Sequence, residues 1–282
     1  MTALPGQLIA LSPLVARVLA PNPSPFTNTG TQTHLVGTGD LAVIDPGPDS
    51  PEHLAALLAA IGGRPVRAIL VTHTHRDHSP LARALAAETG APIIGCAPLV
   101  LDMGGRADAA FDTDYAPDHI LAEGDEVQGA GWTLAAIATP GHTSNHLAFA
   151  LPEEKALFSG DHVMGWSTTV VAPPDGDMGA YMASLDKLLG RDDAIYYPAH
   201  GDPVANPQRY VRHLLGHRQL REGQIARRLD EGAHAVPALV AAMYVGLDPR
   251  LERAAQGSVL AHLLDMEKRG LVVREGETWR RA

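Results

Sequence analysis

The 282-residue chain reads as an α+β protein, with sheets covered by helices over residues 1–207 and a small winged-helix-like module over 208–282. Three observations carry this reading. Up to Pro207, short apolar runs bounded by turn residues alternate with stretches of helical periodicity. Beyond Pro207 the pattern becomes three helical stretches and a terminal hairpin. The charge changes at the same place: residues 209–282 carry 13 Lys/Arg against 9 Asp/Glu, while residues 1–208 hold 9 against 23.

Taken in order, His34–Val36 and Leu41–Ile44 predict two strands joined around Gly37–Asp40, and Asp45-Pro46-Gly47 breaks the second. Pro51–Ile61 has apolar residues at helical spacing and stops at Gly62-Gly63. Val66–Val71 is a short apolar run that predicts a buried strand. Ser79-Pro80 supplies an N-cap and a first-turn proline for a helix to Thr89, with Gly90 as its stop. Strands follow at Ala91–Ile94, Trp132–Ala138, His146–Ala150, Ala156–Phe158 and Ala194–Tyr197, with a helix at Gly179–Leu189. In the last stretch, helices are predicted at Gln208–Glu231, Val236–Tyr244 and Pro249–Arg269, although Gly216 and Gly223 weaken the first. Leu271–Arg274 and Thr278–Arg280 close the chain as a hairpin around Glu275-Gly276-Glu277.

Composition excludes several classes. Apolar residues make up 45% of the chain, enough for a sizeable core, and no apolar run is long enough to cross a membrane. The stretch Leu8–Ala20 is interrupted by Pro13 and Arg17 and has no basic segment before it, so it does not read as a secretory signal. The single cysteine, Cys96, permits no internal disulfide, and the expected setting is cytoplasmic. A net charge of −10 with an acidic body does not attract nucleic acid non-specifically.

The chemistry concentrates in Thr72-His73-Thr74-His75-Arg76-Asp77-His78, between a buried strand and a helix. Residues two apart on extended chain point the same way, so His73 and His75 can share one metal, and the turn brings Asp77 and His78 beside them. Imidazole nitrogen and carboxylate oxygen suit zinc, at roughly 2.0–2.2 Å. Three further segments each follow a predicted strand: Thr139-Pro140-Gly141-His142, Ser159-Gly160-Asp161 and Tyr197-Pro198-Ala199-His200-Gly201. Asp45 also follows a strand, where it can either fix a ligand histidine by hydrogen bonding or simply close a turn. His119 and His162 read as structural or surface residues. Arg218, Arg221, Arg227 and Arg228 recur at helical spacing and, interleaved with Glu222, Asp230 and Glu231, read as a solvated helix face.

This ordered set, from about Asn28 to Gly201, resembles the metallo-β-lactamase superfamily. The resemblance implies a four-layer αββα sandwich with its site at one edge of the two sheets. It implies that His73, His75 and His142 bind a first metal, that Asp77, His78 and His200 bind a second, and that Asp161 bridges both. The implied cofactor is two Zn2+, with Fe or Mn also compatible with this donor set. An aspartate at 161, with Cys96 far from every motif, points away from true β-lactamases and toward the glyoxalase II, lactonase and RNase branches. Asn22–Thr27, Gly160–Gly165, Ser167–Val170, Tyr181–Leu185 and His217-Arg218 with Arg221-Glu222 are similar to lactamase-β-like proteins with a C-terminal winged helix. That group includes a single-strand-specific endoribonuclease and hydrolases of carrier-protein thioesters. The chain departs from many of its relatives in having Ser79-Pro80 after His78, and Asn145 before His146, which is given no catalytic role.

The implied enzyme is a metal-dependent hydrolase. In it, a hydroxide bridging two ions about 3.5–4 Å apart attacks an ester, thioester or related small molecule. Asp77 is the expected catalytic residue, orienting the nucleophile and handling its proton while also contacting the second metal. Single-stranded RNA is the alternative substrate, although RNA binding calls for basic or aromatic tracks and aromatics are only 5%. A non-catalytic metal-binding module is a third reading. Structural zinc is usually closed by four ligands, whereas seven donors leave open positions.

Overall fold

The computed structural model describes residues 4–99 and 110–282. The chain forms two compact units. The first comprises residues 1–139, 145–167 and 192–207, and the second comprises 140–144, 168–191 and 208–282. Two pieces from the middle of the chain, 140–144 and 168–191, therefore group with the C-terminal stretch.

The first unit holds two mixed sheets. One has seven strands in sequential order: β1 (Leu8–Ala10), β2 (Val15–Leu19), β3 (Gln32–Val36), β4 (Leu41–Ile44), β5 (Val66–Val71), β6 (Ile93–Gly95) and β7 (His119–Ile120). Its first half is an antiparallel meander, and from β4 onward the strands run parallel. Parallel neighbours need crossovers. Helices α1 (Pro51–Ile61) and α2 (Ala82–Thr89) supply them. Ser50 caps α1 by accepting the His53 N–H at 3.2 Å, Pro51 opens it, and Gly62 ends it in the left-handed region. The second sheet contains β8 (Glu126–Gly129), β9 (Trp132–Ala138), β10 (Leu147–Leu151), β11 (Ala156–Gly160), β12 (Ile195–Pro198) and β13 (Val204–Ala205). One core draws on both sheets, with Leu35, Val43 and Ile69 from the first and Leu134, Phe149 and Phe158 from the second.

The second unit contains α3 (Met178–Leu189), all but the first residue of α4 (Pro207–Asp230), α5 (Val236–Met243), α6 (Glu252–Lys268) and a three-stranded sheet. That sheet is built from β14 (His234–Ala235), β15 (Val272–Glu275) and β16 (Thr278–Arg281). Ile225, Leu229, Leu239, Val259, Leu263, Met266 and Trp279 form a core of their own. This is the three-helix and hairpin pattern expected of the C-terminal stretch.

The interrupted stretch near the N-terminus is a hairpin: the break around Pro13 is its turn, where Ser12 Oγ accepts the Val15 N–H at 3.0 Å. Three local expectations change. Ser79 does not cap α2, which starts at Ala82, because its hydroxyl donates to Asp112 Oδ2 at 2.7 Å. Helix α4 runs unbroken through Gly216 and Gly223, held by the buried Val211, Leu214, Ile225 and Leu229. Arg218 is not part of a solvated face, since it is 4% exposed.

Candidate metal centre

Two parallel strand pairs position the site. Strands β4 and β5 are neighbours and run the same way, so Asp45 after β4 sits beside Thr72 and His73 after β5. Strands β11 and β12 are the parallel pair of the second sheet, so Asp161 after β11 sits near His200 after β12. Side chains that follow neighbouring parallel strands converge at their C-terminal ends, where α/β sheets place ligands. Backbone bonds tie the two edges together: Leu147 N–H to Thr72 O and Gln32 N–H to Ala199 O, both 2.8 Å.

Six of the seven sequence-expected donors lie in this first unit. One ligand atom each from His73, His75 and Asp161 lie within 4.8 Å of one another, and so do those of Asp77, His78 and His200. His73 Nε2 is 2.9 Å from His75 Nδ1. Asp161 stands between the sets with different oxygens. Its Oδ2 is 4.0 Å from His73 Nε2, while its Oδ1 is 3.6 Å from His78 Nε2 and 3.3 Å from His200 Nε2. Asp77 Oδ2 is 3.3 Å from His78 Nε2 and 3.1 Å from His200 Nε2.

Hydrogen bonds behind the rings fix where the lone pairs point. His78 Nδ1 is 2.9 Å from Asp45 Oδ2, and a carboxylate only accepts, so this nitrogen carries the proton. His200 Nδ1 is 3.3 Å from the Gly30 carbonyl and must likewise donate. Thr72 Oγ1 donates to Asp45 Oδ2 at 2.8 Å, which makes His73 Nδ1, 3.0 Å away, the donor to that hydroxyl. Each ring thus turns its Nε2 lone pair inward. For His78 and His200 that nitrogen faces carboxylate oxygens, so a positive charge belongs between them, a proton on Nε2 or a metal ion. Buried imidazoles and carboxylates converging on such a place are a donor set that fits a metal ion.

Ionisation follows the same crowding. Burial alone would raise Asp77 and Asp161, but His78 and His200 hold both carboxyls well below the usual range. Burial alone would lower the imidazoles. The surrounding carboxylates instead put His78 well above its ordinary value and push His200 up to about 10. The cluster therefore favours positive charge between its groups.

His142 lies on the turn after β9, in the piece that groups with the second unit. Gly141 beside it has φ 138°, and a Cβ there would come 2.3 Å from the Tyr181 Cα, so only glycine fits. His142 Nδ1 is 2.6 Å from the Val170 carbonyl, which leaves the acceptor lone pair on Nε2, as in the other rings.

Residues outside the sequence-expected set support the cluster. Asp45 resolves as a positioning residue: besides His78, its Oδ1 accepts the Thr72 N–H at 2.8 Å, and its own φ of 49° aims it there. Thr31 Oγ1 donates to Asp77 Oδ2 at 3.1 Å. His146 takes the Asp161 N–H on Nε2 at 3.2 Å and contacts Thr139 Oγ1 through Nδ1 at 2.8 Å. Gly160, at φ 52°, leaves room for that ring, since a Cβ would stand 2.7 Å from His146 Nε2. In the sequence His146 opens a predicted strand and follows Asn145, and it is given no catalytic role. Thr31 gave no sequence signal. His119 is exposed on β7, and His162 is fully buried.

Comparison with known proteins agrees with this geometry. Residues 27–200 match the family model described as the metallo-beta-lactamase superfamily. The chain belongs to the metallo-beta-lactamase superfamily. Residues 235–279 match a beta-lactamase associated winged helix domain. The chain is 34% identical to a beta-lactamase-like protein 2 homolog of Caenorhabditis elegans, over 78% of this chain and 72% of that protein. It is 35% identical to an atrochrysone carboxyl ACP thioesterase of Aspergillus fumigatus, over 76% of this chain and 64% of that protein. A metallo-beta-lactamase family protein from Thermus thermophilus superposes with a TM-score of 0.80 at 24% identity, over 97% of this chain and all of that one, a likeness of fold. The fold is the α+β sandwich of this superfamily followed by a winged helix, and the protein is a metal-dependent hydrolase. Among the described residues, no helix is long and apolar enough to cross a membrane.

Proposed function

We propose that this superfamily member hydrolyses acyl thioesters with two metal ions, zinc first among the occupants. His73, His75 and His142 hold one ion, Asp77, His78 and His200 hold the other, and Asp161 is shared. The observation that carries the reading is the convergence of the His78 and His200 Nε2 atoms on the Asp77 and Asp161 carboxylates at 3.1–3.6 Å. The separate use of Oδ1 and Oδ2 by Asp161 supports its shared role. His142 enters through its place in the ordered motif set and its Nδ1 bond to Val170.

Bound there, such ions supply acidified water and a polarised carbonyl oxygen. The side chains do the rest. Asp77 orients the attacking water and accepts its proton, steadied by the Thr31 hydroxyl. Asp45 keeps the His78 ring in one tautomer and orientation. His146 holds the Asp161 backbone in place. The thioester class is supported by relatives named as thioesterases at 33–35% identity.

The test is a substrate panel on protein stripped with chelator and reloaded with zinc, iron or manganese. Expected is metal-dependent cleavage of an acyl-pantetheine thioester, with little turnover of a lactone or single-stranded RNA. Cleavage of the RNA alone, or of none of the three by metal-replete protein, would contradict the substrate assignment.

A further inference from the structure

The metal centre leaves the His217-Arg218 and Arg221-Glu222 motif of α4 unused. Arg218 is 4% exposed, its Nη2 donates to the Thr169 carbonyl, and its guanidinium lies 5.1 Å from the centre of the Tyr181 ring. Its Nε is buried with no hydrogen-bond partner. Among the described residues no carboxylate pairs with it. The nearby acids, Glu222 and Asp265, are both engaged by Arg269. His262 on α6 is 3% exposed, and neither of its ring nitrogens has a partner; His217 Nδ1 has none either.

These groups act on one another. Burial first, then Arg218, His217, Arg269 and Arg221, drive His262 down to about 3. Burial, then Arg218, Arg221 and His213, lower His217. Buried polar atoms are normally satisfied, and a buried charge is normally paired. Three partnerless imidazole nitrogens and the bare Nε of an unpaired guanidinium call for a missing ligand. His78 Nε2 at the metal centre carries the same mark.

We propose that Arg218, His217 and His262 form an anion-binding site inside the second unit that takes one oxyanion, carboxylate or phosphate. The Thr169 carbonyl engages Nη2 and so orients the guanidinium, leaving its Nε edge for the anion. Each neutral imidazole adds one N–H donor. Opposite charge is supplied by Arg218 alone. The site does not depend on the hydrolase reading.

The experiment is calorimetric titration of the full chain at pH 7 with inorganic phosphate and, separately, acetate, in metal-loaded and chelator-stripped protein. Expected is one anion per chain in both metal states, weakened about tenfold or more in Arg218→Gln and less in Arg218→Lys, which keeps the charge but not the fork. Tighter phosphate assigns the site to phosphoryl groups, and tighter acetate to carboxylates. Binding of neither anion, binding unchanged in Arg218→Gln, or binding lost with the metal would overturn the proposal. Should circular dichroism show Arg218→Gln unfolded, His262→Gln decides: a loss of about threefold or more supports the site, and unchanged affinity overturns it.

Discussion

In the first unit, Asp77 and Asp161 are set among imidazoles whose Nε2 atoms converge on them. In the second, Arg218 is buried near two imidazoles, and among the described residues no carboxylate pairs with it. Both places leave buried nitrogens without partners, but with opposite charge requirements. The first calls for a cation and the second for an anion. Burial alone therefore does not identify a site. The sign of the uncompensated charge tells which ligand completes it.

The comparison can be broken at either end. The largest effect is expected from Asp161→Ala, which removes the carboxylate shared by both proposed ions. Turnover should fall about 1,000-fold or more, and elemental analysis should show depleted metal. Retained metal with full activity would refute the shared role.

A second effect concerns the buried neutral histidines of both units. Burial lowers His53 to about 4, and burial with neighbouring positive charge lowers His34 and His262 to about 3. Their folded values lie below the unfolded value of about 6.5. The unfolded chain therefore binds protons that the folded chain refuses. Stability is fully present above pH 6.5 and declines as pH falls toward 4, by about 1.4 kcal/mol per pH unit for each histidine. Urea unfolding at pH 7, 6 and 5 measures it, and a His53→Leu variant that stays folded should show a shallower slope.

Asp45→Asn sharpens the cation side. The His78 Nδ1–H would lose its charged acceptor, and affinity for the second ion should drop about 10–100-fold while the first ion is retained, as read by chelator competition. The smallest effect separates the two places. In anion-free buffer, Arg218→Met should cost less than about 2 kcal/mol, because wild type already carries an unpaired charge. Added phosphate should widen the gap by stabilising only the wild type.

The contrast also explains what could be read from the sequence. Helix α1 and strands β5 and β9 were legible to the residue, because helical apolar spacing from Pro51 stops at Gly62-Gly63 and the strands are short apolar runs. Four candidate donors stood out because His73, His75, Asp77 and His78 lie within six residues after one strand. Asp161, His142 and His200 needed the ordered family pattern. Thr31 and His146 were hidden, since they reach Asp77 and Asp161 only through folding. Arg218 was misread as solvated because periodicity with interleaved acids cannot show that one arginine of a stripe turns inward onto the Thr169 carbonyl.

The most direct measurement is a zinc titration of chelator-stripped protein by calorimetry, repeated with His75→Ala, His200→Ala and Asp161→Asn. Two ions per chain are expected in the wild type. His75→Ala should weaken one, His200→Ala the other, and Asp161→Asn both. A single ion per chain, or His75→Ala and His200→Ala weakening the same ion, would contradict the two-ion centre.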